Sequence, residues 1–246
     1  MNELVNTIRE KYLGTLEKIA SAAKRSGRSP EAVKLVVVTK AQPVEVARAA
    51  IEAGAVILGE NYAEEGVTKI QSLQNLSAVE WHMIGHVQSR KAPLVAGHFN
   101  FMHSLDSLKL AKKLDRFCGE AGRILPVLLE FNVGGEESKG GWEAADETRW
   151  AGLAAEISEI LAMPNLRVRG LMSMPPLGNT AEFSRPFFQK LRRLRDYLAN
   201  QLPEADLSEL SMGTSSDYEV AVEEGATFVR VGTAIVGQRT YNTETA

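Results

Sequence analysis

The chain has 246 residues, the size of one large domain or two small ones. Its 28 Lys plus Arg nearly balance 31 Asp plus Glu, which argues against nucleic-acid binding by bulk charge. A composition of 44% hydrophobic and 24% charged residues excludes disorder over most of the length, and a single cysteine, Cys118, excludes an internal disulfide framework and cysteine-based zinc sites.

The first predicted element is a helix. Leu4, Val5, Ile8, Tyr12, Leu13, Leu16 and Ile19 recur at spacings of three and four, and the pattern ends near Gly27. Ser29-Pro30 then suits a short turn. Residues 34–40 form a β-branched run without polar alternation, as in strands buried on both faces. A helix follows from Pro43 to a stop at Gly54. The alternation continues with strands predicted at 56–59, 80–85, 101–105, 124–133, 168–174, 207–212 and 228–236. Helices are predicted at 62–73, 89–96, 107–121, from about 141 through 161, from a Thr180 cap to about 201, and at 217–224.

Eight strand–helix units after one leading helix, with no linker or low-complexity break, predict an α/β chain folded as a (β/α)8 TIM-type barrel with an extra N-terminal helix. The expected organisation is one barrel domain over residues 1–246, with the helix at 1–28 and the barrel at 34–238. A doubly wound open sheet gives the same alternation and is the competing reading. No stretch approaches the roughly 18 apolar residues of a membrane span. Charges at Glu3, Arg9, Glu10 and Lys11 interrupt any secretory signal, and Glu3, Glu10 and Glu17 disfavour a mitochondrial presequence, so a cytoplasmic location is expected.

In a barrel the working residues come from the C-terminal strand ends. Lys40 lies at such an end and shares strand parity with Val36 and Val38. Desolvation at the rim of an apolar interior lowers a lysine's pKa, as a Schiff-base amine needs; a lysine snorkelling to solvent is the plainer alternative. Leu210 through Asp217 runs from a strand into a short helix, and Gly213, Thr214, Ser215 and Ser216 offer a turn, hydroxyls and amides that suit a phosphate. An ordinary helix cap satisfies the same amides. Gly232 and Thr233 follow the last strand and can serve the same phosphate, since barrels often build one from the loops after strands seven and eight. Arg230 sits inside that apolar strand and needs a carboxylate or ligand partner.

Asn61 follows the second strand and His82 lies in the third; both are candidates to face the mouth, although a lone strand histidine is more often a hydrogen-bonded core residue. His86, His98 and His103 have no metal-ligand spacing. The acid pairs Glu136-Glu137 and Glu223-Glu224, and the run Arg192, Arg193, Arg195, read as solvated faces. Cys118 reads as a core residue.

Several of these segments, taken in order, are specific. Val38-Thr39-Lys40, Gly59-Glu60-Asn61-Tyr62, Trp81-His82-Met83-Ile84-Gly85-His86-Val87-Gln88 and residues 132–140 come first. Gly170-Leu171-Met172, Ser211-Met212-Gly213 with Ser215 and Asp217, and Arg230-Val231-Gly232-Thr233-Ala234-Ile235 complete the set. Over residues 34–238 the chain resembles the YggS/PROSC family of pyridoxal 5'-phosphate (PLP)-binding proteins, the PLP homeostasis proteins. The resemblance implies a barrel similar to the N-terminal domain of alanine racemases, PLP fold type III. It implies that Lys40 holds PLP as an internal aldimine and that Arg230 contacts the pyridine nitrogen. Ser211, Thr214, Ser215, Gly232 and Thr233 are implied in cofactor binding, the last four at the phosphate, and Asn61, His82, Met172 and Ser173 in lining the pocket. Three positions depart from the family pattern: Thr214 replaces a methionine, Arg90 an asparagine and Val236 a phenylalanine.

PLP catalysis draws on a protonated pyridinium as electron sink. Arginine is permanently cationic, so an arginine at the ring nitrogen leaves it unprotonated. Racemases with this arginine add a tyrosine base from another domain or subunit. The sequence stops at Ala246 soon after the eighth unit, from which no second domain is expected. The family resemblance therefore implies a PLP carrier acting in PLP and amino/keto acid homeostasis, with little or no turnover and with PLP-dependent apoenzymes as candidate partners. A monomer without nucleic-acid or membrane partners is expected. A PLP-dependent amino-acid racemase is the alternative, and a lysine-dependent aldolase on a sugar phosphate is the reading without PLP.

Overall fold

The architecture is that of a computed structural model describing residues 3–76, 79–176 and 178–238. Among the described residues nine strands run in chain order: β1 (Lys34–Val38), β2 (Ile57–Glu60), β3 (Glu80–Met83), β4 (Phe101–Leu105), β5 (Leu125–Asn132), β6 (Trp142–Glu143), β7 (Leu166–Met172), β8 (Glu209–Ser211) and β9 (Phe228–Val231). The helices are α1 (Glu3–Arg25), α2 (Val44–Glu52), α3 (Ala63–Leu73), α4 (Ala92–His98), α5 (Leu108–Glu120), α6 (Leu153–Leu161), α7 (Arg185–Gln201), α8 (Tyr218–Glu223) and α9 (Thr233–Val236).

Every strand pairing is parallel. The order β4-β3-β2-β1-β9-β8-β7-β5 closes through β4 against β5, where Met102 faces Val127. Eight strands therefore form a closed barrel, and the open-sheet alternative falls. The ninth, β6, adds only to the C-terminal end of β5, beyond its pairing with β4 and β7, and sets Trp142 beside Phe131. Strand parity sorts the apolar side chains. Val36, Ile57, Leu128, Met172 and Phe228 fill the barrel interior, while Leu35, Val37, Leu58 and Val229 join the core between strands and helices. The extra helix α1 buries Val5, Ile8, Tyr12, Ile19 and Ala22 and packs on α2, α8 and α9.

Three segments differ from expectation. The last strand stops at Val231, and residues 233–236 form α9. The turn is made at Gly232, whose backbone leaves the extended region (φ −112°, ψ −85°). The helix expected from about residue 141 begins only at Leu153, after β6 and a 3-10 turn at Glu147–Gly152 that the Asp146 side chain caps. Here the Trp142 indole donates to Glu156, drawing the segment against β5. Thr180 makes no side-chain cap, and a 3-10 turn at Ala181–Ser184 precedes α7.

The expected solvated faces are partly ion-pair networks. Glu224 is buried and, with Glu223, meets Arg185 at 2.7 Å; Arg25 and Arg192 extend the group. Cys118 is fully buried, and burial pushes its thiol up to about 11.

Candidate functional site

The C-terminal ends of the strands surround a cavity of about 580 Å³. Of the residues singled out from sequence, Lys40, Asn61, Thr214, Ser215, Arg230, Gly232 and Thr233 all line it. Val38 lines it too, two residues before Lys40 on the inward face, and Ser216, Glu130, His86 and Met174 complete its polar and soft wall.

The segment carrying Lys40 is clamped on both sides. Lys69 reaches up from α3 and is 2% exposed. Its ammonium donates to the Thr39 carbonyl at 2.6 Å, to Glu60 at 2.8 Å and to Glu65 at 2.6 Å. The Thr39 hydroxyl donates to Glu60 at 2.6 Å, and the Ala41 amide donates to Glu65 at 2.8 Å. Ala41 itself sits at φ 54°, a left-handed conformation that a non-glycine residue holds only where its surroundings dictate it. Burial pushes the Glu60 carboxyl up despite Lys69. A buried ion cluster of this kind fixes geometry more than it adds stability.

The hydroxyl-rich loop after β8 meets the loop after β9. The Gly232 amide donates to the Ser215 hydroxyl at 3.2 Å. Gly213 turns the chain at φ +89°, and a Cβ there would come within 2.5 Å of Ala221 Cβ. Asp217 braces the loop: it accepts from the Thr214 amide at 2.7 Å, from the Thr214 hydroxyl at 3.1 Å and from Ser184 at 2.7 Å. Thr214 thus spends its amide and hydroxyl within the loop, while the Ser215 proton stays available to a ligand. Gly232 lies so close to β1 that a Cβ would meet Val38 at 3.2 Å.

Arg230 is 4% exposed and forms part of the cavity floor. Its Nη2 donates to the Ser173 carbonyl at 3.0 Å and contacts Met174 Sδ, and its Nη1 donates to Ser211 Oγ. Burial pulls its pKa down to about 10, with Glu130 and Asp217 opposing, so it stays cationic at neutral pH. Glu130 ends an otherwise apolar stretch of β5, and burial, with Asp106 adding to it, raises its carboxyl to about 7.

The remaining sequence candidates lie beneath the cavity. Met172 belongs to the apolar filling of the barrel, and Ser173 and Ser211 are fully buried. His82 is fully buried as well, and its ring contacts His103 and Glu80. Desolvation lowers the pKa of both His82 and His103, which favours neutral rings.

Comparison with known proteins places this geometry. A family model described as alanine racemase, N-terminal domain, matches residues 15–240. A pyridoxal phosphate homeostasis protein of Aquifex aeolicus is 40% identical over 232 residues, covering 94% of this chain and 98% of that one. The chain belongs to the pyridoxal phosphate homeostasis protein family. Another member, from Escherichia coli, is 38% identical over 240 residues, 97% of this chain and 99% of its own. Among solved structures, PipY of Synechococcus elongatus with PLP bound is 38% identical, with a TM-score of 0.77 over 90% of this chain and 99% of that one. An alanine racemase from Streptomyces lavendulae is 17% identical with a TM-score of 0.68, covering 96% of this chain and 60% of that one, and shares the barrel fold.

Sequence reasoning missed Glu130 and the Lys69 clamp. Glu130 carries the same signal that exposed Arg230, a charge within an apolar strand. Lys69 carries none, because an i,i+4 Glu65–Lys69 pair on a helix reads as an ordinary surface pair.

Proposed function

We propose that this protein binds pyridoxal 5'-phosphate in the cavity at the C-terminal mouth, through Lys40, and acts in intracellular PLP and amino/keto acid homeostasis with little or no turnover. The observation that carries the reading is the convergence of Lys40, Arg230 and the Ser215–Gly232 pair on one cavity. The donor set fits the three parts of the cofactor. Lys40 offers a primary amine for the aldehyde. Arg230 is a donor-only cation suited to an acceptor ring nitrogen. The Ser215, Ser216 and Thr233 hydroxyls, with nearby backbone amides, suit a phosphate. A side chain at Gly232 would crowd Val38, so the phosphate segment is held against the lysine strand.

When bound, the cofactor supplies a carbonyl for amines and an electron-withdrawing ring. The protein's residues would bind and restrain it. The clamp on Thr39 and Ala41 aims Lys40, and Arg230, which keeps its proton, leaves the ring nitrogen without one. That weakens carbanion stabilisation and favours carriage over racemisation. PLP-dependent apoenzymes are the recipients in this reading, supported by a cavity that opens at the barrel mouth. Incubating PLP-loaded protein with a PLP-requiring apoenzyme tests delivery. Activity regained faster than from an equal amount of free PLP supports carriage. Rapid racemisation of alanine by the purified chain would overturn the low-turnover reading.

A further inference from the structure

A line of hydrogen bonds crosses the barrel from one mouth to the other. At the cavity, Arg230 Nη1 donates to Ser211 Oγ. Ser211 Oγ lies 2.8 Å from His103 Nδ1, His103 Nε2 lies 2.9 Å from His82 Nδ1, and His82 Nε2 lies 3.1 Å from Glu80 Oε2. The three interior members are fully buried, and the His82, His103, Phe101 and Phe228 rings pack within 4.9–5.7 Å of one another. Glu80 alone is exposed, in a second mouth of about 740 Å³ that it shares with Lys34, Arg167, Arg169 and Glu209.

The Glu80 end fixes the direction of the bonds, and the Arg230 end accommodates it. A guanidinium only donates and a carboxylate only accepts. Ser211 accepts from Arg230 and keeps its own proton to give, for which His103 Nδ1 at 2.8 Å is the acceptor once the Glu80 carboxylate sets the two rings. His103 then carries its proton on Nε2 and donates to His82 Nδ1. His82 carries its proton on Nε2 and donates to Glu80. Reversing the two rings would set an unprotonated His82 Nε2 against the Glu80 carboxylate and leave the Ser211 proton without a partner. All polar atoms of both rings are satisfied in one arrangement only.

We propose that Glu80, His82, His103 and Ser211 are positioning residues for Arg230, joined in a one-directional relay through the barrel. The relay holds the guanidinium that faces the cavity and ties it to the charge on Glu80 at the opposite mouth. Its effect on the cofactor rests on the PLP reading above; its hydrogen-bond direction does not.

Two arms test it. Long-range nitrogen–proton spectra of the full chain, without PLP, report the tautomers directly. Both buried rings are to carry the proton on Nε2, and a proton on Nδ1 of either one overturns the relay. Glu80→Ala, at an exposed position, is to move the ring signals of His82 and His103 together; movement of His82 alone overturns the coupling. The second arm is PLP titration. His103→Phe fills the space without hydrogen bonds and is to weaken binding about tenfold, the weight of one lost buried hydrogen bond at the upper end of its usual range. His103→Gln can accept from Ser211 and donate to His82, and is to restore most of that loss. Equal losses in both variants, or none in His103→Phe, overturn the positioning role. A wild-type chain that takes up no PLP would refute the proposed function, while the tautomer spectra still decide the relay.

Discussion

Lys69→Met is the perturbation that bears hardest on how Lys40 is presented. Lys69 is 2% exposed and donates three hydrogen bonds, to Thr39, Glu60 and Glu65. Methionine keeps the length and apolar stem but removes every donor. Glu60 is fully buried, and its Oε2 has no hydrogen-bond partner among the described residues. The substitution therefore leaves a buried carboxylate with the Thr39 hydroxyl as its remaining donor. Breaking a buried pair from one side costs about 3–5 kcal/mol. For a chain of this size that is a fall in melting temperature of roughly 6–20 °C. Glu60 then folds best as the neutral acid, so it holds a proton more tightly folded than unfolded. Its penalty is therefore greatest above neutral pH and shrinks as pH falls toward the ordinary glutamate value, about 4.3. Thermal melts of wild type, Lys69→Met and Lys69→Met/Glu60→Leu at pH 5 and pH 8 measure this. The double variant is to recover most of the loss, because no fully buried charge is left unpaired: Glu65, which also loses Lys69, is partly exposed and keeps the Ala41 amide. A Lys69→Met melt within about 2 °C of wild type at pH 8, or no recovery in the double variant, would refute the reasoning.

Glu130→Gln removes a carboxyl that burial raises to about 7. The folded chain binds this proton more tightly than the unfolded one, so wild-type stability falls as pH rises through roughly 4.3 to 7. The variant is to gain on wild type by up to about 3 kcal/mol between pH 5 and 8, and a pH-independent difference in melts would contradict this. Gly213→Ala forces a Cβ into a left-handed turn and against Ala221, and is to cost at least about 1–2 kcal/mol by denaturant titration and to weaken PLP binding. Cys118, buried with its thiol raised to about 11, is to resist aromatic disulfide reagents in the folded chain and to react once in denaturant. Rapid labelling of the native protein would contradict that placement.

Much of the fold and the rim of the site were legible in the residues. The β-branched run before Lys40, the Gly and Ser punctuation after Leu210, and an arginine stranded among Phe228, Val229 and Val231 each have a physical cause that survives without coordinates. Inward parity was legible for His82 as well. Which mouth the ring addresses was not, because period two says inside or outside the barrel and nothing about position along its axis. The same limit hid His103. The segment at 232–236 misled because Val231, Ile235 and Val236 have strand propensity, while one glycine turns the chain into α9. The clamp at Lys69 was hidden because burial of a charged helix face depends on what packs over it, here the Thr39–Ala41 turn. Glu223 and Glu224 were misread for the same reason, since their arginine partners come from α1 and α7.

The central claim is that this chain carries PLP on Lys40. The most direct measurement is the absorption spectrum of the purified protein with PLP, beside Lys40→Ala, followed by borohydride reduction and mapping of the modified peptide by mass spectrometry. The account predicts a visible band in wild type, its loss in the variant, and the reduced cofactor on Lys40 alone. No band with excess PLP, or a label on another lysine with the band intact in Lys40→Ala, would contradict it.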